Sequence, residues 1–483
     1  MPNHALVALR EDAGLSQQDL AYELNDLAAR RHGKHPQVTR KTIGRWERGE
    51  VAWAQPFYRR LLAEYFEVAA DELGFRRPRR SRSPAAEAAP ASLELVGVPP
   101  ASEPHVERDQ QHWRDIRAAL GGRRRDLAVL AESLYRDYRV AGLDGTGVIS
   151  TSAWIPDTPV PLEETTLGLD LVVAEPAVTG AEPESAAVRP LVSVDARYRC
   201  YHHAVRDLAA PRLFENRLCF RLIGLDWTRS AARMRFGQMS FFDAMDTNEA
   251  LAHEFAAHHV TANGDEAVLP RVSWRGLAFR KLIADPFDLS RRALMGAVGT
   301  LTIRGGGSPA VVLHHRDSSR VAGGGGMVHL LPAGVFQPSS VFPAAVAADF
   351  SIWRNIQREY AEELLGHDEY DGSGRSIKYS ELEPFITMDL AVAEGRIRVF
   401  YIGVILDALT LAGDILTVAV IDPHLYDELF ANAVQNNAEG SVSARAVPFE
   451  EHTLAWLGRS GRLSPGAAAA LHLAWTHRKI LIE

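Results

Sequence analysis

Three carboxylates stand at helical spacing in the run REYAEE, where Glu359, Glu362 and Glu363 take positions i, i+3 and i+4 with Arg358 beside them. Like charges this close repel one another, and a divalent cation or basic partners offset the repulsion. Mg²⁺ binding suits such a face; so does plain solvation. A second set lies near the start of the chain, where VTRKTIGRWERGE puts Arg40, Lys41, Thr42 and Arg45 on one side of about two helical turns. Val38, Ile43 and Trp46 anchor the other side. Donors arranged in this way match the phosphate oxygens and base edges of double-stranded DNA.

Other reactive residue types are less well spaced. HEFAAHH, from His253 to His259, resembles the HExxH zinc helix, but the fourth position after His253 is Ala257. His258 is turned about 140° from His253 around a helix, so the two do not face one ion. Cys200, His202 and His203 in RYRCYHH alternate faces if the segment is a strand, which favours core and surface roles, and Cys219 stands apart. Neither Gly305 to Gly307 nor Gly323 to Gly326 leads into a helix, as a phosphate-cradling loop requires.

These groups need elements to hold them. Thr39 is a good N-cap and Gly49 sits where a left-handed cap residue ends a helix. Upstream, Leu6, Leu9 and Ala13 repeat at helical spacing, Gly14 breaks the run, and Ser16 caps a second helix carrying Leu20, Ala21 and Leu24. That is a helix-turn-helix layout. LREDAGLSQQDLA and TIGRWERGE resemble the Cro/cI-like (XRE) family of bacterial DNA-binding domains. The resemblance implies a buried brace between Arg10 and Glu47 and a phosphate contact from Gln17. Phe57, Leu61, Leu62, Tyr65, Phe66 and Leu73 fit two closing helices. An extension before Val38 carries Arg30, Arg31, His32, Lys34 and His35, either a solvated loop or a reach to flanking phosphates.

From Arg76 the chain turns rich in Pro, Ala, Ser and Arg, the composition of a flexible linker. A helical period returns from Trp113 to Tyr138, followed by the Pro-rich WIPDTPVPLEETTL. Strands are expected over Arg217 to Leu225 and Met234 to Met239, and a helix over Asn248 to His259. Thr300 to Arg316 has the pattern of a hairpin, HLLPAG follows, and Asp349 to Gly366 has an apolar helical stripe at Trp353, Ile356, Tyr360 and Leu364. LPAG with REYAEE resembles the Nudix fold. The resemblance implies that Glu359, Glu362 and Glu363 bind Mg²⁺ on the diphosphate of a nucleotide derivative while Arg358 orients a ligand carboxylate. No Glu occurs between Val335 and Gln357, so the Nudix box is incomplete and points to ligand sensing more than to hydrolysis.

With 483 residues, 46% hydrophobic and 24% charged, the chain has material for several globular domains. Its net charge of −8 is uneven: residues 1–82 hold 15 Lys and Arg against 11 Asp and Glu, or +4, leaving −12 for the remainder. Only the first part is electrostatically suited to DNA. Two cysteines make no disulfide framework, and the N-terminus has no signal-peptide pattern, so a cytoplasmic bacterial protein, on the nucleoid when DNA-bound, is expected. The apolar run Phe400 to Ile421 is interrupted by Asp407 and Asp414 and fits paired buried strands. The expected fold is multi-domain. An all-α helix-turn-helix domain (1–75) precedes a linker (76–112), an α+β middle region (113–284) and a Nudix-like α/β/α sandwich (285–483). The expected function is a DNA-binding transcriptional regulator, homodimeric on a palindromic site, that answers to a nucleotide-type effector with Mg²⁺ possible and no membrane partner; a Nudix hydrolase fused to a DNA-binding domain is the alternative.

Overall fold

Side-chain caps define the first helices. A computed structural model describes residues 3–13, 15–32, 38–49, 51, 54, 56–66, 68, 73–75, 103–211, 214–228, 231–260, 272–316, 327–367, 377–431, 440–442 and 447–482. The chain divides into two units, residues 1–98 and 99–483.

In the first unit the helices are α1 (His4–Asp12), α2 (Gln17–His32), α3 (Arg40–Glu47) and α4 (Pro56–Phe66). Asn3 caps α1 by accepting from Leu6 N at 3.2 Å. Ser16 and Asp19 exchange bonds at the head of α2, with Asp19 N donating to Ser16 Oγ at 3.2 Å and Ser16 N to Asp19 Oδ2 at 3.0 Å. This reciprocal pair satisfies two amides that the helix leaves open. Thr39 and Thr42 repeat the device at α3, and Gly49 follows with φ +69. Leu6, Leu20, Ala21, Leu24, Ile43, Trp46, Leu61 and Leu62 form one core. Of the two closing helices expected after Pro56, α4 is described. The linker as far as residue 102, Lys34, His35 and Gly323 to Gly326 lie outside the described residues.

The second unit begins its secondary structure with α5 (Pro104–Glu132), inside the stretch expected to be linker. Trp113 explains the earlier start: it is buried, and its indole donates to Val188 O at 3.0 Å. Next to Gly121 and Gly122 the helix kinks at Arg123, whose φ and ψ are −129° and 18°. The principal strands are β1 (Thr165–Leu169), β2 (Leu218–Thr228), β3 (Ala231–Ser240), β4 (Leu294–Arg304), β5 (Ala333–Val335), β6 (Ile397–Asp407) and β7 (Gly413–Ile421). They form a large mixed sheet in the order β6-β7-β4-β2-β3-β1, with β5 also on β4. The pairs β7/β4 and β1/β3 are parallel; the others on this path are antiparallel.

No domain boundary falls at 284/285. Arg221 and Leu222 of β2 pair with Met295 and Leu294 of β4, so the middle and C-terminal regions share one sheet. The reason is the open edge of the β2/β3 hairpin, whose backbone groups find partners at the start of β4. β6 and β7 are the paired buried strands, and both faces are covered, so their residues are apolar almost throughout. On β6, Val399 and Tyr401, then Val404 and Leu406, enter one core, whereas Phe400, Ile402 and Ile405 enter the other. A bulge between Tyr401 and Gly403, with Gly403 at φ +147, shifts the alternation by one residue.

Three local expectations change. The Thr300 to Arg316 segment pairs as a hairpin only at Ile303 and Arg304, after which Leu313–Arg316 joins a separate three-stranded sheet. The helix expected from Asp349 starts at Ile352, capped by Ser351, because Asp349 ends the preceding helix; it then loosens into a π-turn, Tyr360–Leu364. RYRCYHH is not a strand beyond Arg197, which ends the short strand Ala196–Arg197. Tyr201–Ala204 is a short helix leading into another π-turn, Val205–Ala209. Among the described residues, no helix is long and apolar enough to cross a membrane.

Candidate functional site

In the first unit, α3 is held from behind. Glu47 is 5% exposed, and its carboxylate accepts from Arg10 Nε at 2.6 Å and from Gln17 Nε2 at 2.7 Å. A short charge-assisted bond to each of α1 and α2 fixes where α3 lies. Gln17, expected at a phosphate, thus turns its amide nitrogen inward, because a buried carboxylate with open lone pairs is the stronger acceptor. Trp46 adds the apolar anchor, its ring 5.4 Å from Tyr58 and 6.2 Å from Phe75. On the other side Arg40, Lys41 and Arg45 are exposed. Thr42 is half-buried; its hydroxyl lies 3.0 Å from that of Thr39 and also accepts from Thr39 N at 3.3 Å, so both threonines are occupied in capping. Of the extension, Arg31 pairs with Glu64 at 2.9 Å and Arg30 with Asp26.

In the second unit, the acidic helix meets the LPAG segment. Glu363 Oε2 accepts from Ala333 N at 3.0 Å, and a Cβ placed on Gly334 would overlap the Glu359 carboxylate. Two of the three glutamates therefore border β5. Glu362, in the π-turn, is half-buried, and the three are not gathered as a group with oxygens within 4.8 Å of one another. The π-turn departs from the α-helical spacing on which the i, i+3, i+4 face was read. Arg358 turns the other way: it is 4% exposed, donating to Tyr379 Oη at 2.8 Å and Gln337 O at 2.6 Å, with Asp349 at 3.4 Å. Burial works against its charge, but Tyr379 and Asp349 raise its pKa. Its ion-pair partner is Asp349, and Glu359 also favours its charge, more weakly.

The residues of HEFAAHH have separate structural tasks. His253 stacks on Trp113 at 5.4 Å, and its Nδ1 meets Tyr201 Oη at 3.1 Å, while Tyr201 accepts from Arg117 at 3.1 Å. Burial, then the charge of Arg117, pushes its pKa down to about 3, so the ring is neutral. Glu254 accepts from the amides of Phe279 and Arg280 at 2.7 and 2.9 Å, satisfying the first turn of the helix Ala278–Ile283.

A cavity of about 200 Å³ was not foreseen; Arg221, Glu175, Thr179, Gln238, Asp243 and Thr247 are among its lining residues. Arg221 is 5% exposed and donates to Ala174 O at 3.0 Å and Leu289 O at 3.3 Å, two carbonyls that leave its charge uncompensated by hydrogen bonding. Its only sequence signal was a charged residue inside an otherwise apolar strand pattern. Neither a scan against protein-family models nor a search of curated proteins finds a match to this chain.

Proposed function

We propose that the protein is a DNA-binding transcriptional regulator whose XRE-like helix-turn-helix is the first unit, with α3 entering the major groove. The observation that carries this reading is the exposure of Arg40, Lys41 and Arg45 on a helix whose opposite face is fixed by Ile43, Trp46 and the Arg10–Glu47–Gln17 cluster. A reading helix must be rigid on its own domain before its side chains can discriminate bases. Arg40, Lys41 and Arg45 supply base-edge and phosphate contacts, with Thr42 at the groove-facing end. One such module covers a short half-site, so the protein binds a palindrome as a homodimer. The positive charge of residues 1–82 against the acidic remainder agrees with this division of labour.

The second unit, on this reading, senses a nucleotide-type effector through its Nudix-like part, where Glu359 and Glu363 border the Ala333–Gly334 strand. Mg²⁺ fits the carboxylate chemistry of that edge. The hydrolase alternative is favoured by the same edge and is separated by metal-dependent turnover of nucleotide diphosphates that Glu362→Gln abolishes.

Recovery of the genomic DNA bound by the full-length protein, repeated with Arg40 and Arg45 both replaced by Ala, tests the main reading. A palindromic motif lost in the variant is expected. Absence of an enriched motif in the unsubstituted protein would overturn it.

A further inference from the structure

Cys200, His202 and His203 bring one ligand atom each to within 4.8 Å of one another, the one such group of three among the described residues. The local fold explains the convergence. Cys200 is the N-cap of Tyr201–Ala204, with extended φ and ψ of −128° and 150°. A side chain at an N-cap folds over the second and third residues of its helix, here His202 and His203. The two imidazoles touch, with ring centroids 4.2 Å apart.

A fourth group reaches the same place from far along the chain. Asp246 Oδ2 lies 2.7 Å from His202 Nδ1, and Oδ1 accepts from His202 N at 2.8 Å. Asp246 belongs to a further π-turn, Met245–Glu249, and the loop at Gly180 packs so tightly on it that a Cβ there would strike the Asp246 carbonyl. A carboxylate held this firmly on one imidazole nitrogen is the usual outer partner of a metal-binding histidine, because it fixes the ring and its tautomer. The cluster is half-buried at all three ligands, open enough for an ion to enter.

We propose that Cys200, His202 and His203 bind a zinc-class divalent ion, with Asp246 as the positioning residue for the His202 ring. One thiolate and two imidazoles are the donor set of a borderline-soft ion, and three protein ligands leave a fourth position for water or a further ligand. Binding displaces the thiol proton to solvent, and no redox step is involved. The bound ion ties the Cys200 to Ala204 segment to the π-turn whose next residue, Thr247, lines the cavity. This site is independent of the DNA-binding reading.

Cobalt is the probe. Co²⁺ added to metal-free full-length protein gives a thiolate-to-cobalt charge-transfer band saturating at one equivalent, and Zn²⁺ abolishes it. Cys200→Ser loses the band, Cys219→Ala keeps it, and His203→Gln weakens binding. Asp246→Asn retains the thiolate band while lowering affinity by roughly 10–100-fold. Should Cys200→Ser fail to fold by circular dichroism, His203→Gln and Asp246→Asn carry the test. No band with the unsubstituted protein, a band that survives Cys200→Ser, or an affinity unmoved by both His203→Gln and Asp246→Asn overturns the assignment.

Discussion

Replacing Glu47 by Gln preserves volume and removes the charge that binds α1 and α2 to α3. The geometry sets the cost. Arg10 Nε at 2.6 Å and Gln17 Nε2 at 2.7 Å make short bonds to this carboxylate, and Arg10 Nη2 at 3.4 Å adds little. Gln keeps one carbonyl oxygen, so one short bond is lost and the other loses its charge assistance, and breaking one side of a buried ion pair costs about 3–5 kcal/mol. That corresponds to a rise of roughly two to three and a half orders of magnitude in local opening. Amide hydrogen exchange in the full-length protein reads it directly. The reporters are Ile43 N, which donates to Thr39 O at 3.1 Å, and Asn3 N, which donates to Glu47 O at 2.7 Å. Amides of α5 serve as the unaffected reference. Arg10→Met and the double substitution complete a cycle, and direct pairing predicts a coupling energy of about 0.5–3 kcal/mol. Opening energies that simply add in the double variant would refute the account, and so would unchanged exchange at Ile43.

Arg40→Ala should weaken specific DNA binding by about 1–3 kcal/mol and relax sequence preference at one position; equal losses on operator and random DNA, measured at matched salt, would count against base reading. His253 gives a pH dependence: its folded pKa of about 3 lies below the unfolded value near 6.5, so only the unfolded chain gains a proton as the pH falls through that window. The stability of the second unit is therefore full above the unfolded pKa and about 2 kcal/mol lower by pH 5, with Arg117, His112 and Tyr201 the groups facing the ring. Denaturant melts of His253→Gln should show a flatter slope over this range, and an equal slope would remove His253 as the cause. Arg358→Met removes the cation 3.4 Å from the fully buried Asp349, which keeps hydrogen bonds from Ser339 and Tyr379, and should cost about 3–5 kcal/mol in the same melts, whereas unchanged stability would free Arg358 for a role at the glutamates. Gly334→Ala should displace the Glu359 carboxylate and lower any Mg²⁺ affinity measured by calorimetry; an affinity equal to that of the unsubstituted protein would place the ion elsewhere.

What was legible in the sequence was local. Ser16, Thr39 and Gly49 announce helix ends because each acts within three or four residues of itself, and the apolar runs of β6 and β7 announce burial because both faces are covered. What was not legible depended on distant partners. Arg221 is at the cavity because loop residues near Ala174 and the β2/β4 pairing converge there, and nothing adjacent to Arg221 marks that convergence. The extent of the middle region is not legible for the same reason, since the Arg221–Met295 pairing joins positions that no periodicity connects.

A second kind of failure is more specific, and it falls on the REYAEE run and the Cys200–His203 cluster. Reading REYAEE as one metal-binding face assumes 3.6 residues per turn, and the chain abandons that spacing at Tyr360–Leu364. Two more π-turns, Val205–Ala209 and Met245–Glu249, flank the Cys200–His203 cluster and carry its carboxylate. In two of the three, Tyr360–Leu364 and Met245–Glu249, the wider turn carries a polar contact. Tyr360 Oη reaches Thr302 at 2.7 Å, Glu363 reaches Ala333, and Asp246 reaches His202. An α-helical turn would aim those side chains about a quarter of a turn elsewhere, because one extra residue rotates everything beyond it by roughly 100°. Motif spacing is therefore least reliable where the chain departs from 3.6 residues per turn. Tyr360→Phe keeps the length of REYAEE but removes the hydroxyl that ties the wider turn to Thr302, so a return to α-helical spacing would bring Glu362 and Glu363 into the i, i+3, i+4 alignment with Glu359 that the sequence suggested. The substitution also breaks the Thr302 contact, so a gain in Mg²⁺ affinity at a loss of stability is the expected pair of outcomes, and affinity and stability changing in the same direction would show that the π-turn does not set the carboxylate geometry.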